Sequence, residues 1–195
     1  GADHHGYIPR MKAAIAALGH DPKSLDIVLI QMVRLVENGQ EVKMSKRTGN
    51  AVTIRELRED IGNDATRYFF VERAVDTHMD FDLGLARSQT SDNPVFYAQY
   101  AHARICSVLR QAPEVQRETY DLLGSEKETA LLKHIAAFTD TVADAAATYA
   151  PNKICNYVQK LAQYFHSFYG AHKILGNENA ELTNQRLALL QATKI

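Results

Sequence analysis

The segment Leu25-Asp26-Ile27-Val28-Leu29-Ile30-Gln31-Met32-Val33 sets the strongest limit on what this chain can fold into. It is nearly continuous in apolar residues and rich in β-branched ones, the pattern of a parallel strand covered on both faces. Ahead of it, Arg10 to Leu18 has helix-forming composition and stops at Gly19, as a helix with a glycine C-cap does. Helix followed by strand is the tail of an α/β unit, and a doubly wound domain needs several such units. The expectation is therefore a remnant of an α/β sheet, with the strand left with one neighbour or none.

Beyond the strand, Glu37-Asn38-Gly39-Gln40 reads as a turn and Val42 to Asn50 as a polar, glycine-bearing loop. Thr53 and Glu56 form a capping box for a helix through Ile61, Gly62 ends it, and Asn63 or Asp64 caps another through about Ala74. Asp76 to Asp82 is acidic and irregular. From Pro94 onward the pattern is helical. Val95, Ala98, His102, Ile105 and Leu109 share one stripe. Ser125 and Glu128 make a second capping box before Leu131, Ile135, Phe138, Val142 and Ala146. Pro151 starts a helix carrying Ile154, Val158, Leu161, Phe165 and Phe168, and a fourth stripe begins near Leu182. Segment 112–124 is the longest loop. The fold class expected is mainly α, with residues 1–93 the end of an α/β domain and 94–195 a helical bundle.

Charge narrows the function. The net charge of −1 excludes a protein that holds nucleic acid by bulk positive charge, so any RNA contact is local. Residues 1–93 carry 12 Lys/Arg against 14 Asp/Glu, and residues 94–195 carry 10 against 9, so neither half is a basic tail. No apolar run reaches the roughly 20 residues that cross a bilayer, and Gly1 to His5 does not resemble a signal peptide; the expectation is a cytoplasmic protein without membrane partners. Cys106 and Cys155 sit far apart within helical patterns and read as small buried hydrophobes.

The sharpest chemical signal is Lys43-Met44-Ser45-Lys46, two lysines three apart on a polar loop following an apolar strand. Mobile point cations at the carboxyl end of a sheet suit the charge that grows on a leaving pyrophosphate. A lone K-x-x-K is otherwise an ordinary solvated turn. Asp3-His4-His5 offers metal-binding residue types and resembles the signature of manganese phosphoesterases, yet the partner clusters such enzymes need are not convincing here, and no metal site is assigned. In the helical half Tyr97, Tyr100, Tyr164 and Tyr169 offer faces on which unpaired bases could stack, while aromatics at this spacing are more often core.

Taken together these motifs resemble a family. Lys43 to Lys46 is similar to the KMSK signature loop of class I aminoacyl-tRNA synthetases, and Val42 to Asn50 to its bacterial arginyl form, with Arg47 where serine is usual. Gly1-Ala-Asp-His-His-Gly-Tyr-Ile8 resembles the segment preceding that loop, and Asn93 to Arg104 the opening of the anticodon-binding domain of arginyl-tRNA synthetases. The resemblance implies activation of L-arginine with ATP and Mg²⁺ and transfer to tRNA(Arg). It implies that Lys46, assisted by Lys43, stabilises the phosphates, that Val42, Met44 and Ser45 meet ATP, and that Asp3, His4 and Gly6 line the ATP and arginine pocket. Whether Asp3 would bind ribose or guanidinium stays open. Tyr100 and Tyr169 would lie near the anticodon, with Arg104 and Lys173 contacting phosphate. The HIGH-type signature and the N-terminal tRNA-contacting domain of the family are not in this sequence, and its last helix would normally run further. The expectation is a C-terminal fragment of a monomeric parent, inactive alone and prone to self-associate through its exposed strand.

Overall fold

The structure, a computed structural model, describes residues 1–42, 52–112 and 119–194. The chain divides into two compact units, Gly1–Ala86 and Arg87–Ile195.

In the first unit a short 3-10 turn, Ala2–His4, leads into α1, Tyr7–Ala17. Its end is a Schellman turn: Gly19 adopts φ 86°, its N–H donates to the Ala16 carbonyl, and the His20 N–H donates to that of Ile15. The strand expected over Leu25–Val33 is corrected here. Residues 25–32 form no strand, and the ladder begins only at Val33, in β1, Val33–Glu37. The run keeps a strand-like alternation, with Val28, Ile30 and Met32 exposed and Ile27 and Leu29 half-buried. Two backbone bonds tie it down, from the Ala2 N–H to the Ile30 carbonyl and from the Gln31 N–H to that of Val75. The physical reason is that a strand is defined by its neighbour, and among the described residues no strand lies beside 25–32.

From β1 the chain reverses through Asn38 and Gly39, both at positive φ (52° and 75°), which suits the tight hairpin turn to β2, Gln40–Glu41. On its other side β1 pairs in parallel with β3, Met79–Asp82, giving the order β2-β1-β3. Asp76 to Asp82 is thus not irregular throughout, because Met79 and Phe81 alternate as buried residues and bring the segment onto β1. The register sets Arg34 opposite Asp80, where Nε and Nη2 of the guanidinium donate to both carboxylate oxygens at 2.7 and 2.8 Å. Between the strands α2 spans Ile54–Val71 and opens on the Thr53–Glu56 capping box. Gly62, at φ 84° and ψ 167°, interrupts its helical geometry, so the break expected there is a kink inside one element. A short α3, Leu83–Arg87, follows β3.

The second unit is all helical: α4 Pro94–Gln111, α5 Glu126–Ala136, α6 Phe138–Ala147, α7 Asn152–Ala171 and α8 Ala180–Thr193. The Asn93 carboxamide oxygen accepts from the N–H groups of Val95 and Phe96, and Pro94 occupies the first turn, so the start of α4 is fixed by sequence. Ala101, Ile105 and Val108 of α4, Leu131 of α5, Leu161, Phe165 and Phe168 of α7, and Leu187, Leu189 and Leu190 of α8 share one core. The single helix expected after Ser125 is two, divided at Ala137. The stripe position Ala146 and the large residues Phe138 and Val142 lie exposed, and Ala145 is the residue that α6 buries instead. In α8 every residue from Gln185 to Leu190 is buried, a core helix rather than an amphipathic one.

Candidate nucleic-acid interface

The candidate residues of the first unit fall on its turns. Asp3 and His4 lie in the exposed 3-10 turn, Gly6 caps α1, and the His4 ring meets Tyr7 edge-on at 5.8 Å. The Ala2–Ile30 backbone bond holds this turn against the extended run. Val42 is half-buried and its N–H donates to the Leu35 carbonyl at 2.8 Å, which anchors the start of the loop to β1. Lys43, Met44, Ser45 and Lys46 lie outside the described residues. Among those that are described, no three His, Cys, Asp or Glu side chains converge as a metal site would require.

In the second unit three candidates come together. Tyr100 and Arg104 are one turn apart on α4, and Tyr169 stands near the end of α7. Arg104 Nη1 donates to the Tyr100 hydroxyl at 2.7 Å, and its guanidinium carbon lies 4.5 Å from the Tyr169 ring centre and 5.7 Å from that of Tyr100. A guanidinium over an aromatic face is held by the ring quadrupole without losing its charge. Tyr100 is 47% exposed, so the cluster is a cation set between two rings at the surface. Helical spacing gave the α4 pair, but only the packing of α4 against α7 supplies Tyr169.

The other candidates lie elsewhere. Lys173 is exposed beyond α7, and its carbonyl accepts from Arg186 Nη1 at 3.1 Å. Tyr164 is half-buried with Lys160 over its ring at 5.3 Å, on the side of α7 that meets His134 of α5. Tyr97 packs on the core, and burial raises its phenol pKa.

Sequence reasoning passed over His166. Its ring lies 5.0 Å from Tyr97 and 5.7 Å from Tyr100, the latter nearly parallel at 26°, and its Nε2 is buried without a hydrogen-bond partner among the described residues. Burial first, and then the Arg104 charge, lower its pKa and favour the neutral ring. Its sequence signal was faint: a histidine between Phe165 and Phe168, one position off the apolar stripe.

Residues 98–195 match the DALR anticodon binding domain, over half of the chain. The chain belongs to the DALR anticodon-binding family. The DALR match takes in Tyr100, Arg104 and Tyr169. The whole chain is also 55% identical over 199 residues to an arginine–tRNA ligase of Bacillus cereus and 56% identical over 202 residues to that of Geobacillus kaustophilus. It spans 36% of the length of each of these curated relatives. A solved arginyl-tRNA synthetase structure from Campylobacter jejuni superposes with a TM-score of 0.90 at 38% identity, covering all of this chain and 42% of that one. The Thermus thermophilus arginyl-tRNA synthetase, at 24% identity and a TM-score of 0.77, shares the fold over 94% of this chain and 35% of its own. The DALR chain is therefore similar to a part of bacterial arginyl-tRNA synthetases, the family its motifs resemble.

Proposed function

We propose that this chain works as part of an arginine–tRNA ligase, which joins L-arginine to tRNA(Arg) by way of arginyl-adenylate. ATP is the substrate, with Mg²⁺ accompanying its phosphates. The helical unit, residues 94–195, holds the anticodon loop, and residues 1–93 supply the end of the ATP-binding domain. The observation that carries this reading is the Tyr100–Arg104–Tyr169 cluster, with Tyr100 exposed and Arg104 and Tyr169 half-buried, within the stretch matched by an anticodon-binding family. Two faces flanking a fixed cation suit an unpaired base and its phosphate, the combination by which single-stranded loops are held. Lys173 adds a phosphate contact. In the first unit Lys46 and Lys43 act on the phosphates of ATP, Val42, Met44 and Ser45 meet the nucleotide, and Asp3, His4 and Gly6 line the ATP and arginine pocket.

The test has two parts. The 195-residue chain is titrated with tRNA(Arg) and with the same tRNA carrying another anticodon; it prefers the first, and Arg104→Ala weakens that binding about tenfold. The chain is then exchanged for the matching part of the Bacillus cereus ligase. The hybrid charges tRNA(Arg) with labelled arginine, its Lys46→Ala form is slower by about 100-fold or more, and the 195 residues alone do not charge. Equal binding of both tRNAs sinks the anticodon reading, and a hybrid indifferent to Lys46→Ala sinks the role of the loop.

A further inference from the structure

The hairpin turn between β1 and β2 is made by Asn38 and Gly39, the one Asn-Gly pair in the sequence. Both sit at positive φ, 52° and 75°, and both are exposed. Among the described residues neither the Asn38 carboxamide nor the Gly39 N–H has a hydrogen-bond partner, and a Cβ built on Gly39 meets nothing within 4 Å. The turn therefore sets an unengaged side-chain carbonyl carbon beside an unengaged backbone nitrogen, with no side chain over the nitrogen to shield it.

That juxtaposition has a chemistry of its own. Once the Gly39 nitrogen gives up its proton to hydroxide, it can attack Cγ of Asn38 and close a five-membered succinimide as ammonia leaves. Water then opens the ring at one carbonyl or the other, giving aspartate, or isoaspartate with the backbone rerouted through the side chain. The sequence of steps consumes water and needs no oxidant. In a folded chain the main obstacle is rigidity, because the Asn backbone must rotate before the nitrogen reaches Cγ. Here the restraint is slight. Among the described residues β2 is two residues long and pairs with β1 alone, through Val36 with Glu41 and Glu37 with Gln40. Two pairs at the end of a ladder open at small cost in free energy.

We propose that Asn38 is a site of spontaneous deamidation, and that its isoaspartate product loosens the hairpin leading to Val42. The product adds a methylene to the backbone inside a two-residue turn, and the geometry of such a turn sets the register of the ladder. It also adds a carboxylate to a hairpin that already carries Glu37 and Glu41, where like charges repel. The bond next in line is the one from the Val42 N–H to the Leu35 carbonyl, at 2.8 Å. Asn156 supplies the contrast. It is exposed too, but it lies inside α7, where the next nitrogen, that of Tyr157, belongs to the helical hydrogen-bond ladder and carries a large side chain beside it.

The 195-residue chain is aged at mildly alkaline pH, digested with trypsin at intervals and followed by mass spectrometry with electron-transfer fragmentation, which tells isoaspartate from aspartate. Peptide 35–43 turns acidic with isoaspartate as the larger share, within a few-fold of the rate of the same peptide free in solution and several-fold ahead of Asn156. In the isoaspartyl chain the Val42 amide exchanges with deuterium several-fold faster than in fresh protein. Asn38→Gly, which suits a turn of positive φ and has no carboxamide, shows neither change. Ageing at Asn38 no faster than at Asn156 would mean that the turn protects the site, and unchanged Val42 exchange would mean that the hairpin absorbs the methylene; either result overturns the inference. So does acid formation in peptide 35–43 of Asn38→Gly, which would place the reaction at Gln40.

Discussion

Glu128 and Arg186 form the ion pair that holds the helical unit at the level of single residues. They are 1% and 8% exposed, and Arg186 Nε donates to the carboxylate at 2.8 Å while Nη1 reaches the Lys173 carbonyl. The same carboxylate accepts from the Ser125 N–H, so one side chain caps α5 and anchors α8. Burial raises the Glu128 pKa, but the bonds from Ser125 and Arg186 outweigh it and the net shift is downward. A lowered carboxylate contributes stability that is present above its ordinary value of 4.5 and is lost as pH falls through the folded value. Glu128→Ala leaves a buried cation without its counter-charge, and we expect it to destabilise the chain by about 3–5 kcal/mol in urea unfolding, far more than removing an exposed pair. His166 works in a higher window. Its pKa is lowered from 6.5, so below that pH the unfolded chain takes up its proton first and stability declines as pH falls from 6.5 toward the folded value. Melting curves at pH 7 and pH 5 check this: the drop in Tm is smaller for His166→Phe, which keeps the ring and cannot titrate. An unchanged drop would remove His166 from the account.

Whole elements begin and end on features visible in the sequence. Thr53 with Glu56, Asn93 with Pro94, Ser125 with Glu128, and Asn179 all cap helices through their own side chains. The boxes at Thr53 and Ser125 are contacts within three residues, which is why they could be read without the fold. Gly62 is the informative case. Its φ of 84° with ψ of 167° lies where only glycine rests without strain, and among the described residues a Cβ there meets nothing within 4 Å. Gly62→Ala therefore changes backbone energy and little else. We expect a loss of about 1–3 kcal/mol by chemical denaturation, and a variant as stable as the parent would mean that the kink relaxes into continuous helix. Gly19→Ala, at φ 86° with equally open space, should lose about 1 kcal/mol for the same reason. Where elements differ from expectation, the cause is a partner distant in sequence. β3 is a strand because Val33 to Val36 runs beside it, and after the α5–α6 break Phe138 and Val142 stay partly exposed, Phe138 against the Tyr157 ring, although their spacing with Leu131 and Ile135 is helical.

For the molecule as a whole, the run from Leu25 to Met32 has the largest consequence. Val28, Ile30 and Met32 are 48%, 54% and 63% exposed along one extended segment, and an apolar edge of this kind recruits other chains. We expect the 195 residues to self-associate with rising concentration in sedimentation velocity, and Ile30→Lys with Met32→Lys to reduce this without altering the helical circular dichroism. A chain that stays monomeric at high concentration would show that this face is tolerated in water.

What depends on near neighbours and on motif order was legible in the sequence: most of the helices, the Thr53 and Ser125 capping boxes, the Asn38-Gly39 turn, the Gly62 break, the helical second half and the family. The sequence also brought Tyr100 and Arg104 together, because they stand four residues apart on one helix. Which strands exist was fixed by the fold, since a strand needs a neighbour, and so was the contact that Tyr169 makes with Arg104 from another helix. The Glu128–Arg186 pair and the ring wall made by His166 were decided there too. Their partners lie 58 residues apart in the first case and on a second helix in the other, and no local pattern encodes a contact over that distance.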